Sequence, residues 1–283
     1  MKCQWDAYIR ILPRWLQEPV DKLGKDTLTE LRLRLGQPAQ LIQLSRSLWL
    51  EQSTIHKADI TFCINAASQY SPWASTTSSS GYITAPGGHR IGICGEAVAS
   101  QNNCIVFQHI TSLCIRVARD ISGIATEIAD LPGSTLIIGP PGSGKTTFLR
   151  DLVREKSKMI YGSIAVLDER GELFPSSQGQ FCFETGPKTD VLTGVLKQQG
   201  IDMVIRSMGP QYIAVDEITA AEDSLALLGA GWCGVEIMAT AHAYSKSDLF
   251  RRRVYQPLVK NNIFQNLILL HADKSWRLER MDS

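Results

Sequence analysis

Thr135-Leu-Ile-Ile-Gly139-Pro140-Pro141-Gly142-Ser143-Gly144-Lys145-Thr146-Thr147 is the stretch on which the fold turns. Four apolar or β-branched residues make a short strand, G-x-x-x-x-G-K-T follows, and a helix start comes directly after. The glycines let the backbone wrap so that its N–H groups face inward, and a helix beginning near Lys145 adds the positive end of its dipole. Such a loop receives a phosphate chain. Gly139 through Thr147 would form the cradle, Lys145 would reach the β- and γ-phosphates, and the Thr146 hydroxyl would ligate magnesium. The expected ligands are ATP and Mg2+.

Around this loop, apolar strands are expected at Thr135–Ile138, Ile164–Leu167, Tyr212–Val215 and Val235–Ala239, alternating with helices that begin near Lys145, Asp190, Ala221 and Ser245. Near-continuous apolar strands separated by helices predict a mostly parallel sheet covered on both faces. Phe264 to Leu270 and Trp276 to Met281 read as a closing strand pair. A linker around Asp130-Leu-Pro-Gly133 separates this P-loop domain, residues 129–283, from residues 1–128. The earlier part reads as a smaller mixed α/β domain. Its first helix, Asp6 to Leu23, places Ile9, Leu12, Leu16, Val20 and Leu23 on one side, with interruptions at Pro13 and Pro19. Thr29 to Leu35 alternates Leu31, Leu33 and Leu35 with charges, as a strand does. A turn at Gly36-Gln37-Pro38 follows, residues 73–81 are rich in Ser and Thr, and Gly81 to Gly95 resembles strand, Gly-Gly turn, strand.

The 283 residues carry 29 basic and 28 acidic side chains, 12 against 11 up to Asp130 and 17 against 17 after it. Neither half has the excess that phosphate-backbone binding needs, so no nucleic-acid partner is expected. Seven scattered cysteines, with no C-x-x-C pair, suit buried thiols in a reducing cytosol better than disulfides or zinc. Met1 to Lys25 is broken by Asp6, Arg10, Arg14, Glu18 and Asp21, which excludes a secretory signal and makes a cytoplasmic location the expectation. Ser224 to His242 reads as a buried helix and strand, not a membrane span.

A phosphate cradle needs carboxylates beside it. The strand ending Val215-Asp216-Glu217 supplies them: Asp216 would bind Mg2+, and Glu217 would face the γ-phosphate side and polarise the attacking water. The strand after the P-loop helix ends Asp168-Glu169-Arg170-Gly-Glu172 and offers a second candidate base. Glu169 is preferred, with Glu217 supporting, and paired Glu→Gln variants separate them. His242, in Thr240-Ala241-His242 at the end of the fourth strand, sits where a γ-phosphate sensor would be. Arg206, shortly before the Asp216 strand, is a candidate contact to phosphate or to a neighbouring subunit. The run Arg251 to Arg253 reads as a solvated helix face.

Together, Ile138-Gly-Pro-Pro-Gly-Ser-Gly-Lys-Thr-Thr-Phe-Leu-Arg-Asp151, Leu167-Asp-Glu-Arg-Gly-Glu172, Ile205-Arg-Ser-Met-Gly-Pro210, Val215-Asp-Glu-Ile218 and Thr240-Ala-His242 resemble the stage III sporulation protein AA family, a relative of the secretion-type ATPases of type II and type IV machines. Glu30 to Pro38, Gly88 to Gly95 and Ile115 to Arg119 extend the resemblance through the first domain. It implies a RecA-like ATPase core behind a small N-terminal domain and a homohexameric ring on the cytoplasmic, mother-cell face of a membrane. Hydrolysis would drive membrane-embedded sporulation channel proteins between mother cell and forespore. By the same resemblance Asp168, Glu169 and Glu172 form an acidic box and His242 a histidine box. Pro141, and Gln211 after Gly209-Pro210, depart from the family pattern.

A ring of this kind would complete each site with an arginine from the next subunit, and Arg116, Arg119 and Arg206 are the candidates. Two other readings compete with the motor: a nucleic-acid-associated P-loop ATPase, and a nucleotide-gated scaffold with negligible turnover.

Overall fold

The computed structural model describes the chain except residues 45, 70–80, 100–104, 178 and 282–283. The expected Ser/Thr-rich stretch therefore falls, but for its last residue, outside the described residues. Packing of the backbone divides the chain into two compact units, Met1–Asp120 with Pro175–Cys182, and Ile121–Phe174 with Phe183–Ser283. The boundary expected at 128 thus falls at 120, and the first unit also takes in a later piece of chain.

In the first unit α1 (Trp5–Arg10) and α2 (Arg14–Leu23) are separated at Pro13, whereas Pro19 lies inside α2 without ending it. Proline there removes one backbone donor, but Leu16 and Val20 on either side are fully buried, and that packing holds the helix. Strands β1 (Leu28–Arg34), β2 (Pro38–Gln43) and β3 (Ser47–Thr54) are followed by α3 (Lys57–Ala67), β4 (Tyr82–Thr84), β5 (Arg90–Ala99) and β6 (Ile105–Arg116). They form an antiparallel sheet in the order β3-β2-β1-β6-β5-β4. Leu31, Leu33, Leu41, Ile91 and Ile115 point to the face that meets Tyr8, Leu16 and Val20 of the helices and Leu12 of the turn between them. The opposite face carries Glu30, Arg32 and Arg34 of β1 beside Arg116 of β6, which in turn pairs with Arg90 of β5.

In the second unit β7 (Thr135–Ile138) leads into α4 (Lys145–Met159) and β8 (Ile164–Asp168). The chain then makes the excursion Pro175–Cys182, a tiny hairpin of β9 (Ser176–Ser177) and β10 (Gln180–Phe181), before β11 (Thr189–Thr193) and α5 (Lys197–Met208). The helix expected near Asp190 is thus a strand. Thr189, Val191 and Thr193 alternate with Asp190 and Leu192, and the segment pairs in parallel with β8 at the sheet edge. Next come β12 (Tyr212–Val215), α6 (Ala221–Trp232), β13 (Glu236–Ala241), α7 (Lys246–Arg251), α8 (Gln256–Lys260), β14 (Asn266–Leu270) and β15 (Trp276–Arg280). The sheet order is β11-β8-β12-β13-β7-β14-β15, parallel except for the closing β14–β15 pair.

This topology puts the carboxyl ends of β7, β8, β12, β13 and β14 on one edge, which is where open parallel sheets bind ligands. Among the described residues no helix is long and apolar enough to cross a membrane. The cysteines that are described are all free. Only Cys63 is fully enclosed, where burial pushes its thiol up to about 12, while Cys94 and Cys233 are exposed, against the expectation of buried thiols throughout.

Candidate active site

The loop after β7 is shaped by close approach. A Cβ on Gly139 would lie 2.6 Å from the carbonyl oxygen of Leu270 at the end of β14 and 2.7 Å from Ser143 Oγ. Gly142 and Gly144 adopt φ of 74° and 99°, the left-handed region that side chains resist. α4 then begins at Lys145, so the unpaired N–H groups of its first turn face the loop's interior. Ser143 Oγ is buried there with no hydrogen-bond partner among the described residues, a polar atom left for something the loop encloses.

The Lys145 ammonium donates to the carbonyl oxygens of Gly139 and Pro140, both at 3.0 Å, and to His242 Nδ1 at 2.9 Å. With Nδ1 accepting, the ring hydrogen lies on Nε2, which is 3.1 Å from Glu217 Oε1. Lys145, His242 and Glu217 therefore form a continuous chain of polar contacts. Burial pulls the Lys145 pKa below the usual lysine range, against the opposing charges of Glu217 and Asp216. The Thr146 hydroxyl donates to both Asp216 carboxylate oxygens, at 3.2 and 3.0 Å. Desolvation raises the Asp216 pKa, and the Thr240 and Thr146 hydroxyls oppose it.

Thr240 on β13 holds this corner together. Its hydroxyl donates to Asp216 at 2.9 Å and accepts the Glu217 N–H at 2.8 Å. The N–H contact fixes Glu217 in a left-handed backbone, φ 46°, rare outside glycine and a mark of sites that hold strain for a purpose. A polar, β-branched residue in the otherwise apolar end of β13 was the signal for this role.

Glu169 sits differently. Its carboxylate is 3.0 Å from Lys197 Nζ at the start of α5, and Lys197 also lies 3.8 Å from Asp223. One cleft is nonetheless lined by Asp168, Glu169, Glu172, Lys197, Asp216 and Glu217. Asp168 is a scaffold within it: its buried carboxylate accepts the N–H groups of Glu172 and Phe174, each at 2.8 Å, and so shapes the turn after β8. Desolvation raises its pKa, and those backbone donors hold the rise down.

Arg206 is not with these groups. α5 starts beyond the carboxyl end of β11 and runs back toward the amino end of β12, so its last turn lies roughly 14 Å along the helix from the loop edge at 1.5 Å per residue. Arg206 is exposed there, which corrects its reading as a phosphate contact in its own chain. Arg119 donates to the carbonyls of Lys25 (3.0 and 2.6 Å) and Leu28, and Arg116 lies 3.4 Å from Glu30, all inside the first unit.

α4 itself carries charges that sequence reasoning missed. Asp151 accepts the Gly123 and Ala125 N–H groups at 3.1 and 2.9 Å and pairs with Arg154 at 3.2 Å. Arg154 reaches the Glu184 and Ile121 carbonyls, Arg150 those of Leu173 and Glu172, and Lys156 those of Ala129 and Leu131. These side chains are buried, and they fasten the segments on either side to the helix that carries the loop.

The residues fit a nucleotide with a divalent metal. The loop offers backbone donors and an orphaned hydroxyl, while Thr146 and Asp216 offer hard oxygen donors. Among the described residues no three His, Cys, Asp or Glu side chains form a cage, and magnesium is usually held by one or two protein oxygens with the phosphates rather than by a cage.

Sheet, loop and helix define an α/β protein with a RecA-like P-loop core and a smaller mixed α/β N-terminal unit. Solved structures of the same fold include the Legionella pneumophila ATPase DotB, 18% identical with TM-score 0.59 over 96% of this chain and 80% of that one. The pilus retraction motor PilT with bound ADP is 14% identical with TM-score 0.58, over 90% and 76%. The chain belongs to the family described as "Sporulation stage III, protein AA", whose profile matches residues 9–278. Stage III sporulation protein AA of Bacillus subtilis (strain 168) is 33% identical over 279 residues, 93% of this chain and 90% of that protein.

Proposed function

We propose that this chain is a Mg-ATP-hydrolysing motor that assembles as a homohexameric ring on the cytoplasmic face of the mother-cell membrane and drives a secretion-like channel of membrane-embedded sporulation proteins. One observation carries the enzymatic part: an ammonium on a glycine loop, a hydroxyl–carboxylate pair and a left-handed glutamate meet at the carboxyl edge of one parallel sheet. Membership in a sporulation family and likeness to a retraction motor support the rest.

The loop amides and the α4 N-terminus bind the phosphates, and Lys145 exchanges the Gly139 and Pro140 carbonyls for phosphate oxygens. Thr146 and Asp216 are the residues that would hold magnesium, which supplies charge neutralisation at the phosphate oxygens. Glu217, which reaches the Lys145 side of the site through His242, is the better base than Glu169. Glu169 is engaged by Lys197 on the far strands. His242, bonded to both Lys145 and Glu217, senses whether Lys145 is occupied. An arginine from the next subunit completes the site.

The test is phosphate release by the purified full chain with Mg-ATP, together with Lys145→Ala. The parent should bind and split ATP, and its rate per subunit should rise with protein concentration as rings form. Lys145→Ala should do neither. A variant as active as the parent overturns the site, and full activity from a demonstrated monomer overturns the ring.

A further inference from the structure

An exposed lysine in a turn is ordinarily solvated, and Lys274, in the turn between β14 and β15, differs in where its ammonium goes. It donates to the carbonyl oxygen of Gly142, at the apex of the phosphate loop. The turn that delivers it is closed on itself. His271 N–H donates to Ser275 O at 2.9 Å and Lys274 N–H to His271 O at 3.1 Å, while Asp273 Oδ1 accepts the Ser275 N–H at 3.0 Å and the Ser275 hydroxyl at 2.6 Å. Lys274 has a φ of 73°, an uncommon backbone for a residue with a long side chain. The strands on either side are braced against the loop and its helix. Leu270 O fills the space above Gly139, and Trp276 meets Phe148 of α4 edge-on at 5.5 Å.

We infer that Lys274 is a positioning residue of the phosphate loop, a clamp that fixes the Gly142–Ser143 peptide from outside. A peptide plane next to a left-handed glycine turns over easily, exchanging the directions of its carbonyl and its N–H. An ammonium on the Gly142 carbonyl holds that oxygen outward and keeps the apex in one arrangement. The ligand then meets a loop already ordered, which strengthens binding without entering the reaction. The inference rests on the ATP reading for its effect on binding, but the clamp itself is a property of the ligand-free chain.

The experiment uses the full chain with Lys274→Met, which keeps the stem and removes the donors, Lys274→Arg, which keeps a charged donor, and Asp273→Ala, which loosens the turn. In nucleotide-free protein, Lys274→Met should speed amide hydrogen exchange at Gly142 to Lys145 several-fold, Asp273→Ala should do so more weakly, and Lys274→Arg should stay near the parent. With Mg-ATP, Lys274→Met should raise KM roughly three- to tenfold, the scale of one hydrogen bond at an exposed site, and leave kcat within about twofold. Unchanged exchange in Lys274→Met overturns the clamp. So does a fall in kcat at unchanged KM, which would place the ammonium on the reacting phosphate. If the parent binds no nucleotide, the ATP reading fails, and the exchange measurement still decides the clamp.

Discussion

Two glutamates compete for one role, and the sequence had no means of ranking them by neighbourhood. Glu169 and Glu217 both end buried strands, but only contacts between distant segments reveal that one pairs with Lys197 and the other with His242. Glu217→Gln should lower kcat by about two orders of magnitude or more while ATP binding persists, whereas Glu169→Gln should keep most of the turnover. The measurement is single-turnover hydrolysis beside nucleotide titration, and equal losses in both variants would undo the assignment. Thr240 belongs to the same argument. Thr240→Val removes the acceptor of the Glu217 N–H and a donor to Asp216, so it should destabilise the fold by roughly 1–3 kcal/mol, read from urea midpoints.

At the scale of elements, the loop and its helix were legible because the information is local: glycines at fixed spacing, a lysine, a hydroxyl. The strands at 135–138 and 212–215 fell where apolar runs placed them. β11 did not, because a five-residue edge strand carries little pattern of its own and gains its identity from pairing with β8. The polar face of α4 was equally silent, since most of its partners are backbone carbonyls and N–H groups that no residue type announces. That face should matter to stability. Breaking a buried ion pair by removing one member costs about 3–5 kcal/mol, and Asp151→Ala also orphans two backbone donors. Chemical denaturation should show a loss of that order, with the segment Ile121 to Leu131 becoming protease-sensitive first.

For the whole molecule, stability should depend on pH through a histidine that the candidate site does not use. His89 in the first unit accepts the Ala118 N–H at Nδ1, lies 3.0 Å from the Gln4 carbonyl at Nε2, and stacks edge-on against Tyr8. Burial pushes its pKa down to about 4, with the Gln4 hydrogen bond opposing. Unfolded chain takes up this proton below about 6.5, and the folded unit does not until about 4. Stability contributed by neutral His89 is thus complete above pH 6.5 and falls as pH drops toward 4, by on the order of 3 kcal/mol over the window. Melting followed from pH 7.5 to 5 should show that slope, and His89→Asn should flatten it. The excursion Pro175–Cys182 bears on the molecule as a whole in another way. Because the chain visits the first unit, leaves it, and returns for eight residues, neither unit is a detachable module. A fragment ending at Asp120 would lack native partners such as Pro175, which lies against Gly88. Splicing the RecA-like P-loop core onto some other front end would have to transplant that returning stitch as well.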